Sequence, residues 1–231
     1  MREIVLDTET TGLEPNDGHR IVEIGAVELF NHMPTGQTYH QYINPERAMP
    51  KEAFDVHGIG DDQLRDKPVF AAIGRAFRAF IGEAQLVIHN AAFDMKFLNY
   101  ELERAGLPAI PYGRATDTLA IARQKYPGSP ASLDALCRRF GVDNSLREKH
   151  GALLDSEILA EVYLELIGGR QPGLVLTEAP GQPRQSDMAG QDWRPRPRPV
   201  PLPQRLTDAE RAAHADFVAK LGETAVWKAR A

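Results

Sequence analysis

The stretch IVLDTETTGLE, residues 4–14, places a short apolar run directly before two carboxylates. Residues 4–6 have the composition of a buried strand, and Asp7 and Glu9 follow at its end. Because strand side chains alternate between faces, residues two apart lie on the same face. Asp7 and Glu9 therefore repel each other, and their placement calls for a positive charge nearby.

Bulk composition indicates a cytoplasmic protein. The chain has 231 residues, 42% of them hydrophobic, and its one cysteine excludes a disulfide framework and suits a reducing compartment. The N-terminus lacks the apolar core of a signal peptide, and no apolar run approaches membrane-spanning length, so we expect no membrane partner. The net charge of −5 argues against a protein that coats DNA by charge alone. It does not exclude an enzyme that meets nucleic acid through metal ions.

The chain divides by composition into residues 1–169, 170–205 and 206–231. In the first part, predicted strands come first and helices interleave later, which predicts an α/β domain with a mixed β-sheet flanked by helices. The predicted strands are 2–6, 20–30, 37–43 and 85–89, with a turn-rich NHMPTG before the third. The predicted helices are 67–82, 91–106, 116–126, 132–141 and 151–169.

The composition of residues 170–231 predicts a flexible linker followed by a docking segment. Residues 170–205 are proline-rich, as in RPRPRPVPLP, and predict an extended, flexible linker. Thr207 and Glu210 then show capping-box spacing at the start of a predicted helix with an apolar stripe. A single amphipathic helix cannot bury that stripe alone, so we interpret 206–231 as a segment that docks on another protein. The alternative is that it folds back on the main domain. The stripe consists of Ala213, Phe217 and Leu221.

Two further carboxylates, Asp94 and Asp155, lie on helix faces that otherwise look buried. Unpaired buried carboxylates are costly, and the sequence offers few basic partners beside these positions. Lys96, two residues from Asp94, points elsewhere on its helix. A bound metal would offset the cost for all four acids, and such oxygen ligands suit Mg²⁺ or Mn²⁺ rather than zinc. Two such ions about 3.5–4 Å apart stabilise the attacking and leaving oxygens of a phosphoryl displacement.

His150 lies five residues before Asp155, at the predicted helix start. Its ordinary pKa of about 6.5 allows it to take a proton from an attacking water near neutral pH. We therefore predict a general base at this position. The alternative is an ordinary surface histidine at a helix start.

Three motifs carry a family resemblance: DTETTG at 7–12, HNAAFD at 89–94 and HGALLD at 150–155. In order and spacing they resemble the three exonuclease motifs of the DEDD family, in its histidine-containing branch. AFDVHGI, SLDALCRRFGVDNS and HGALLDSEILAEVYL are similar, within that branch, to the proofreading epsilon subunits of bacterial DNA polymerase III. The resemblance covers residues 4–169 and resumes weakly in the segment that ends in VWKARA.

The resemblance implies a ribonuclease H-like fold and 3′–5′ removal of mispaired DNA nucleotides as nucleoside 5′-monophosphates. It implies two divalent metal ions, Mg²⁺ or Mn²⁺, with Asp7, Glu9 and Asp155 as ligands of the first. Asp7 would also bridge to the second metal, Asp94 matches the fourth acid, and His150 matches the general base. The implied substrate-binding residues are Asp7, Glu9, Thr10, Gly12, Leu13, Glu52, His57, Phe93 and Asp155, with Leu13 as an apolar wedge.

The resemblance also implies protein partners. QPGLVL, residues 171–176, resembles a short sliding-clamp-binding peptide with Gln171, Leu174 and Leu176 as anchors. The family's C-terminal segment binds the catalytic alpha subunit of the polymerase. The sequence leaves open whether a small, theta-like stabilising subunit binds the main domain. The matching polymerase contacts are Leu206, Phe217, Leu221 and Trp227.

Two other functions stay open. The first is an RNA-trimming exonuclease of the same superfamily, because the catalytic motifs do not separate RNA from DNA. The second is a non-catalytic adaptor between polymerase and clamp. The linker and docking tail favour the replicative role, and the presence of all four acids and the histidine argues against lost activity.

Overall fold

The structure is a computed structural model that describes residues 1–145, 147, 149–169 and 206–221. These residues belong to two compact units, of which the second contains residues 206–221. The first unit carries the sheet and most of the helices. None of the helices in the described residues is both long and apolar enough to cross a membrane.

A five-stranded mixed sheet forms the centre of the first unit. Its strands are β1 Arg2–Thr10, β2 Ile21–Phe30, β3 Met33–Tyr42, β4 Gln85–Ile88 and β5 Ala115–Asp117. They lie in the order β3–β2–β1–β4–β5. The first three pair antiparallel, whereas β4 pairs parallel with both β1 and β5. The predicted mixed α/β architecture is confirmed.

Helices connect and cover the strands, and the five predicted ones are all present. Short helices over residues 51–57 and 61–64 and the three-residue strand β5 were not predicted from the sequence. The helices of the first unit are α1 Lys51–His57, α2 Asp61–Leu64, α3 Phe70–Ile81, α4 Ala91–Arg104, α5 Thr118–Lys125, α6 Leu133–Phe140 and α7 Ala152–Ile167.

Strand β1 separates two apolar cores because its side chains alternate between the sheet faces. Ile4 and Leu6 pack on one face with residues of α3 and α4. Val5 packs on the other face with residues of α5, α6 and α7. All three side chains are fully buried. The sheet is therefore covered on both sides up to the point where the acidic residues of β1 begin.

The β2–β3 hairpin is tighter than the sequence predicted. The expected turn over NHMPTG is wrong, because Phe30 pairs with Met33 and only two residues lie between them. Those residues, Asn31 and His32, have φ values of 50° and 65°. Two positive φ values in a two-residue loop match the twist of the flanking strands. Strand β3 therefore begins at Met33 rather than near residue 37.

The second unit contains the helix α8, Asp208–Lys220. The predicted capping box is confirmed, since Thr207 and Glu210 exchange side-chain to backbone hydrogen bonds. Docking of 206–231 on a partner stays a prediction. The predicted contacts Leu206, Phe217 and Leu221 are exposed by 63%, 56% and 43%. The other predicted tail contacts, Gln171, Leu174, Leu176 and Trp227, lie outside the described residues.

Candidate active site

The carboxyl end of β1 presents the two acids of the opening motif. In the β1–β2 register, Asp7 lies across from Gly25 and Glu9 lies across from Glu23. Asp7 is half-buried and Glu9 is buried. Their shared face is the one that α7 covers, because Val5, two residues before Asp7, packs against that helix. Helix α7 can therefore add a third acid to this pair.

Helix α4 supplies Asp94 from its first turn. The side chain is 3% exposed, and the hydroxyl of Thr8 donates a hydrogen bond of 2.7 Å to Asp94 Oδ1. Phe97 and Leu98, on the same helix face, are fully buried, which confirms the predicted stripe. A carboxylate in the first turn is also favoured by the helix dipole. Asp94 is thus held beside β1 by a residue of β1 itself.

Helix α7 supplies Asp155, which is 3% exposed and also lies in a first turn. His150, just before the helix, has a half-exposed side chain, and its Nδ1 lies 3.4 Å from Asp155 Oδ2. Glu9, His150 and Asp155 each offer one ligand atom, and these atoms lie within 4.8 Å of one another. Acids that are far apart in the sequence thus meet at one end of the sheet.

The acids are crowded enough to resist ionisation. Burial, followed by the charges of Asp94, Glu9 and Asp155, raises the pKa of Asp7 well above its usual value. Burial and the charge of Asp155 raise the pKa of Glu9 to about 8. Burial raises the pKa of Asp94 to about 7, although the hydrogen bond from Thr8 opposes the shift. A bound cation would remove this repulsion, so the oxygen-rich set fits a divalent metal.

Arg147 is the functional candidate that the sequence reasoning missed. Its Nε and Nη2 donate to the two carboxylate oxygens of Asp155 at 2.5 and 2.8 Å. Nη1 donates to Asp134 at 2.8 Å, and Nη2 lies 2.9 Å from His150 Nδ1. The expectation of few basic partners is therefore wrong for Asp155. Arg147 lies in the connection between α6 and α7, where no periodic pattern signals which way a side chain points.

The two hydrogen bonds from the guanidinium of Arg147 give Asp155 a different pKa shift from the other acids. Burial by itself raises the pKa of Asp155, but the hydrogen bonds from the guanidinium of Arg147 outweigh it and lower that pKa. The pairing also raises the pKa of Arg147. Asp155 is therefore the acid of this set that stays ionised most readily without a metal.

Lys96 contacts the loop after β1 rather than the acids of the site. Its ammonium donates to the carbonyl oxygen of Leu13 at 2.9 Å and to Glu14 Oε2 at 2.8 Å. The prediction that Lys96 points away from Asp94 is consistent with these contacts. The loop is further tightened by the hydroxyl of Thr10, which donates to the carbonyl oxygen of Gly12 at 2.6 Å. These bonds fix the backbone that follows the two acids of β1.

A cleft of about 610 Å³ opens beside Glu9. Leu13 stands at its edge with 78% of its surface exposed. His57 is buried, its Nδ1 accepts from the backbone N–H of Ile59 at 3.0 Å, and burial lowers its pKa. Asp7 and Asp155 do not line this cleft. The predicted substrate-binding residues that do are Glu9, Thr10, Gly12, Leu13, Glu52, His57 and Phe93.

Comparison with known proteins gives the family. The family model described as "Exonuclease" matches residues 4–163. The DNA polymerase III subunit epsilon of Escherichia coli (strain K12) is 45% identical over 243 aligned positions, which cover 99% of this chain and 98% of that protein. The subunit of the same name from Rickettsia felis is 55% identical over 181 positions, which cover 77% of this chain and 79% of that protein.

Solved structures agree on the fold. Exonuclease X, in complex with 5′ overhanging duplex DNA, has a TM-score of 0.56 at 26% identity and covers 71% of this chain and 90% of its own. The nuclease domain of 3′hExo, a DEDDh family member bound to rAMP, has a TM-score of 0.63 at 22% identity, with coverages of 72% and 91%. The predicted ribonuclease H-like fold is confirmed by these exonuclease neighbours. The chain therefore belongs to the exonuclease family and, within it, to the DNA polymerase III epsilon subunits.

Proposed function

We propose that this 3′–5′ exonuclease removes mispaired 3′-terminal nucleotides from DNA and works as the proofreading subunit of a replicative polymerase. Family membership makes the chain an exonuclease and a hydrolase. The observation that carries the finer proposal is the meeting of Asp7, Glu9, Asp94 and Asp155 at the end of β1, next to a cleft that opens to solvent.

The acids would hold two divalent cations, Mg²⁺ or Mn²⁺. Asp7, Glu9 and Asp155 would hold the first cation, Asp7 would contribute to the second, and Asp94 would complete the set. When bound, such a pair stabilises the attacking and leaving oxygens of a phosphoryl displacement. The raised pKa values of Asp7, Glu9 and Asp94 support this assignment, because burial, and for Asp7 and Glu9 also the neighbouring acids, disfavours the charged carboxylates, and a bound cation would offset that cost.

His150 would act as the general base. Its half-exposed ring lies beside Asp155, where an attacking water can reach it. Arg147 bears only donors, so its contact with Nδ1 engages the lone pair of that nitrogen. Proton uptake at Nδ1 therefore requires Arg147 to withdraw. The tautomer of His150 follows here from its partner, since a neutral ring that accepts at Nδ1 carries its hydrogen on Nε2.

The cleft would hold the 3′-terminal nucleotide. Leu13 would pack against its base as an apolar wedge, and Thr10 and Gly12 would shape the backbone beneath it. Glu52 and His57 would face the terminal sugar and base, and Phe93 would pack beside them. Selection of mispaired ends then needs no reading of base edges, because a mispaired end costs less free energy to unpair.

The tail would connect this activity to the replication machinery in the cytoplasm. Residues 170–205 would form the linker, with Gln171, Leu174 and Leu176 as anchors for the sliding clamp. Residues 206–231 would bind the polymerase alpha subunit through Leu206, Phe217, Leu221 and Trp227. Phe217 and Leu221 lie four residues apart and are both exposed, and an exposed apolar stripe on a helix is a surface that a partner protein can cover, which supports a docking role.

A digestion assay tests the catalytic proposal. The chain is incubated with Mg²⁺ and matched oligonucleotides that end in a paired DNA, a mispaired DNA or an RNA 3′ terminus, with Asp7→Ala as the control. We expect release of nucleoside 5′-monophosphates, fastest from the mispaired DNA and lost in Asp7→Ala. Faster digestion of RNA would support the RNA-trimming alternative, and no metal-dependent release would support the adaptor alternative.

A truncation tests the tail separately. Removal of residues 207–231 should leave the exonuclease rate on free DNA unchanged and abolish association with the polymerase alpha subunit. Size-exclusion chromatography of the mixed proteins measures that association. Co-elution of the truncated chain with the polymerase would contradict the assignment of 206–231.

A further inference from the structure

We infer that Glu23 is a positioning residue, whose buried carboxylate fixes the start of α7 and thereby the separation between Asp155 and Glu9. The inference rests on the proposed cation site, and it concerns a residue outside the elements that supply the acids. Glu23 is 3% exposed and lies near the start of β2, directly across from Glu9 in the β1–β2 register. It does not belong to the group of ligand atoms formed by Glu9, His150 and Asp155.

Helix α7 takes its cap from β2. Its own N-cap residue, Gly151, has no side chain with which to accept a hydrogen bond from the first turn. Glu23 Oε2 instead accepts from the backbone N–H of Ala152 at 3.0 Å, across 129 residues of sequence. This bond satisfies one of the N–H groups that every helix start leaves without a partner. The negative charge is also favoured at the positive end of the helix dipole.

The same end of α7 is pressed against the strand that carries Glu23. A Cβ atom on Gly25 would lie 2.1 Å from the carbonyl carbon of Ala152, so only glycine permits this approach. The hydroxyl of Ser156 donates to the carbonyl oxygen of Gly25 at 2.9 Å. Because Gly25 pairs with Asp7, these contacts place the helix start directly beside the acids of β1.

The second oxygen of Glu23 is held from the other side. His40, on β3, places Nε2 2.6 Å from Glu23 Oε1. A buried carboxylate oxygen without a partner is costly, and His40 removes that cost. With one oxygen fixed by His40, the other is directed at α7. Three neighbouring elements, β3, β2 and α7, are thus connected in one chain of contacts that ends at the helix of Asp155.

An acid at this position carries a penalty that a purely structural cap would avoid. Glu23 is among the charges that, after burial and Asp155, raise the pKa of Glu9. A neutral acceptor would cap Ala152 without adding to that repulsion. Two contributions to cation binding must therefore be separated, namely the hydrogen bond to α7 and the negative charge near Glu9.

Measurement of Mn²⁺ binding to the full chain without DNA separates the hydrogen bond to α7 from the negative charge near Glu9. Affinity is measured by titration calorimetry at a temperature at which circular dichroism shows every variant folded. Glu23→Ala should weaken binding about 10–100-fold, the range for outer partners of metal ligands, whereas Glu23→Gln, which keeps an acceptor for Ala152, should stay near the parent value. Glu157→Ala, which removes an exposed acid of α7, is the control for charge loss and should also match the parent.

A second readout follows the hydrogen bond itself. Amide hydrogen exchange at Ala152 should be slow in the parent and in Glu23→Gln and faster in Glu23→Ala. A parent chain that binds no Mn²⁺ would refute the proposed function. A parent that binds Mn²⁺ no better than folded Glu23→Ala would refute the positioning role alone. Equal weakening in Glu23→Gln and Glu23→Ala would assign the effect to charge and overturn the cap.

Discussion

Replacement of Arg147 by glutamine should destabilise the protein without metal much more than the protein with bound metal. The side chains of Arg147 and Asp155 are 8% and 3% exposed, and the guanidinium contacts both oxygens of the carboxylate. Without Arg147, Asp155 keeps a buried charge beside Asp7 and Glu9. Loss of one partner from a buried ion pair costs about 3–5 kcal/mol. We expect the lower end of this range, because His150 still contacts Asp155.

The thermal shift follows from the size of the domain. At about 2–4 °C per kcal/mol for domains of 150–250 residues, about 3 kcal/mol lowers the melting temperature of the metal-free variant by about 6–12 °C at pH 7. A bound cation would replace the lost positive charge, so saturating Mn²⁺ should remove most of this difference. The variant should also bind Mn²⁺ more tightly than the parent, because no internal cation competes for Asp155.

Differential scanning calorimetry in EDTA and in excess Mn²⁺ measures both effects. The matched control is Arg138→Gln, which removes the same charge from an exposed position on α6 and should leave both melting temperatures unchanged. An equal loss of stability with and without Mn²⁺ would show that Arg147 is an ordinary structural cation. No loss in EDTA would show that Arg147 does not neutralise Asp155 at all.

Three further predictions concern other parts of the site. The pKa of Glu9 is raised to about 8, above its unfolded value near 4.5, so its contribution to stability is full below pH 4.5 and is lost as the pH rises through 8. Glu9→Gln should therefore raise the melting temperature of the metal-free protein at pH 8, although it abolishes turnover. An unchanged melting temperature would contradict this prediction. His150→Ala should lower the rate constant of single-turnover digestion about 10²–10⁴-fold while Mn²⁺ binding survives. A rate constant near that of the parent would exclude His150 as the general base. Leu13→Ala should leave stability unchanged, because the side chain is 78% exposed, but raise KM for DNA about tenfold, and an unchanged KM would exclude the wedge.

The sequence predicts the central part of the fold because its pattern is regular there. An apolar run that ends in Asp7 and Glu9 marks β1, and the helix stripes that carry Asp94 and Asp155 mark α4 and α7. A buried acid on each stripe is a local conflict between burial and charge. Such conflicts are the signal by which a sequence reveals a site before its structure is known.

Other features depend on contacts between distant segments, which no local pattern records. Arg147 lies between α6 and α7, and only the packing of the two helices brings it to both Asp134 and Asp155. Glu23 interrupts an apolar strand, but its partner Ala152 lies 129 residues away. The tight turn at Asn31 and His32 was missed because neither residue is a glycine, the residue that most readily adopts positive φ.

Anomalous diffraction from Mn²⁺-soaked crystals of the full chain tests whether the acids of β1 and α7 form one cation site beside Asp94 of α4. We expect Mn²⁺ at the carboxyl end of β1 with oxygens of Asp7, Glu9 and Asp155 as ligands and with Arg147 displaced from Asp155. An active crystal batch with no Mn²⁺ at these carboxylates, or with Mn²⁺ bound elsewhere and Arg147 still on Asp155, would contradict it.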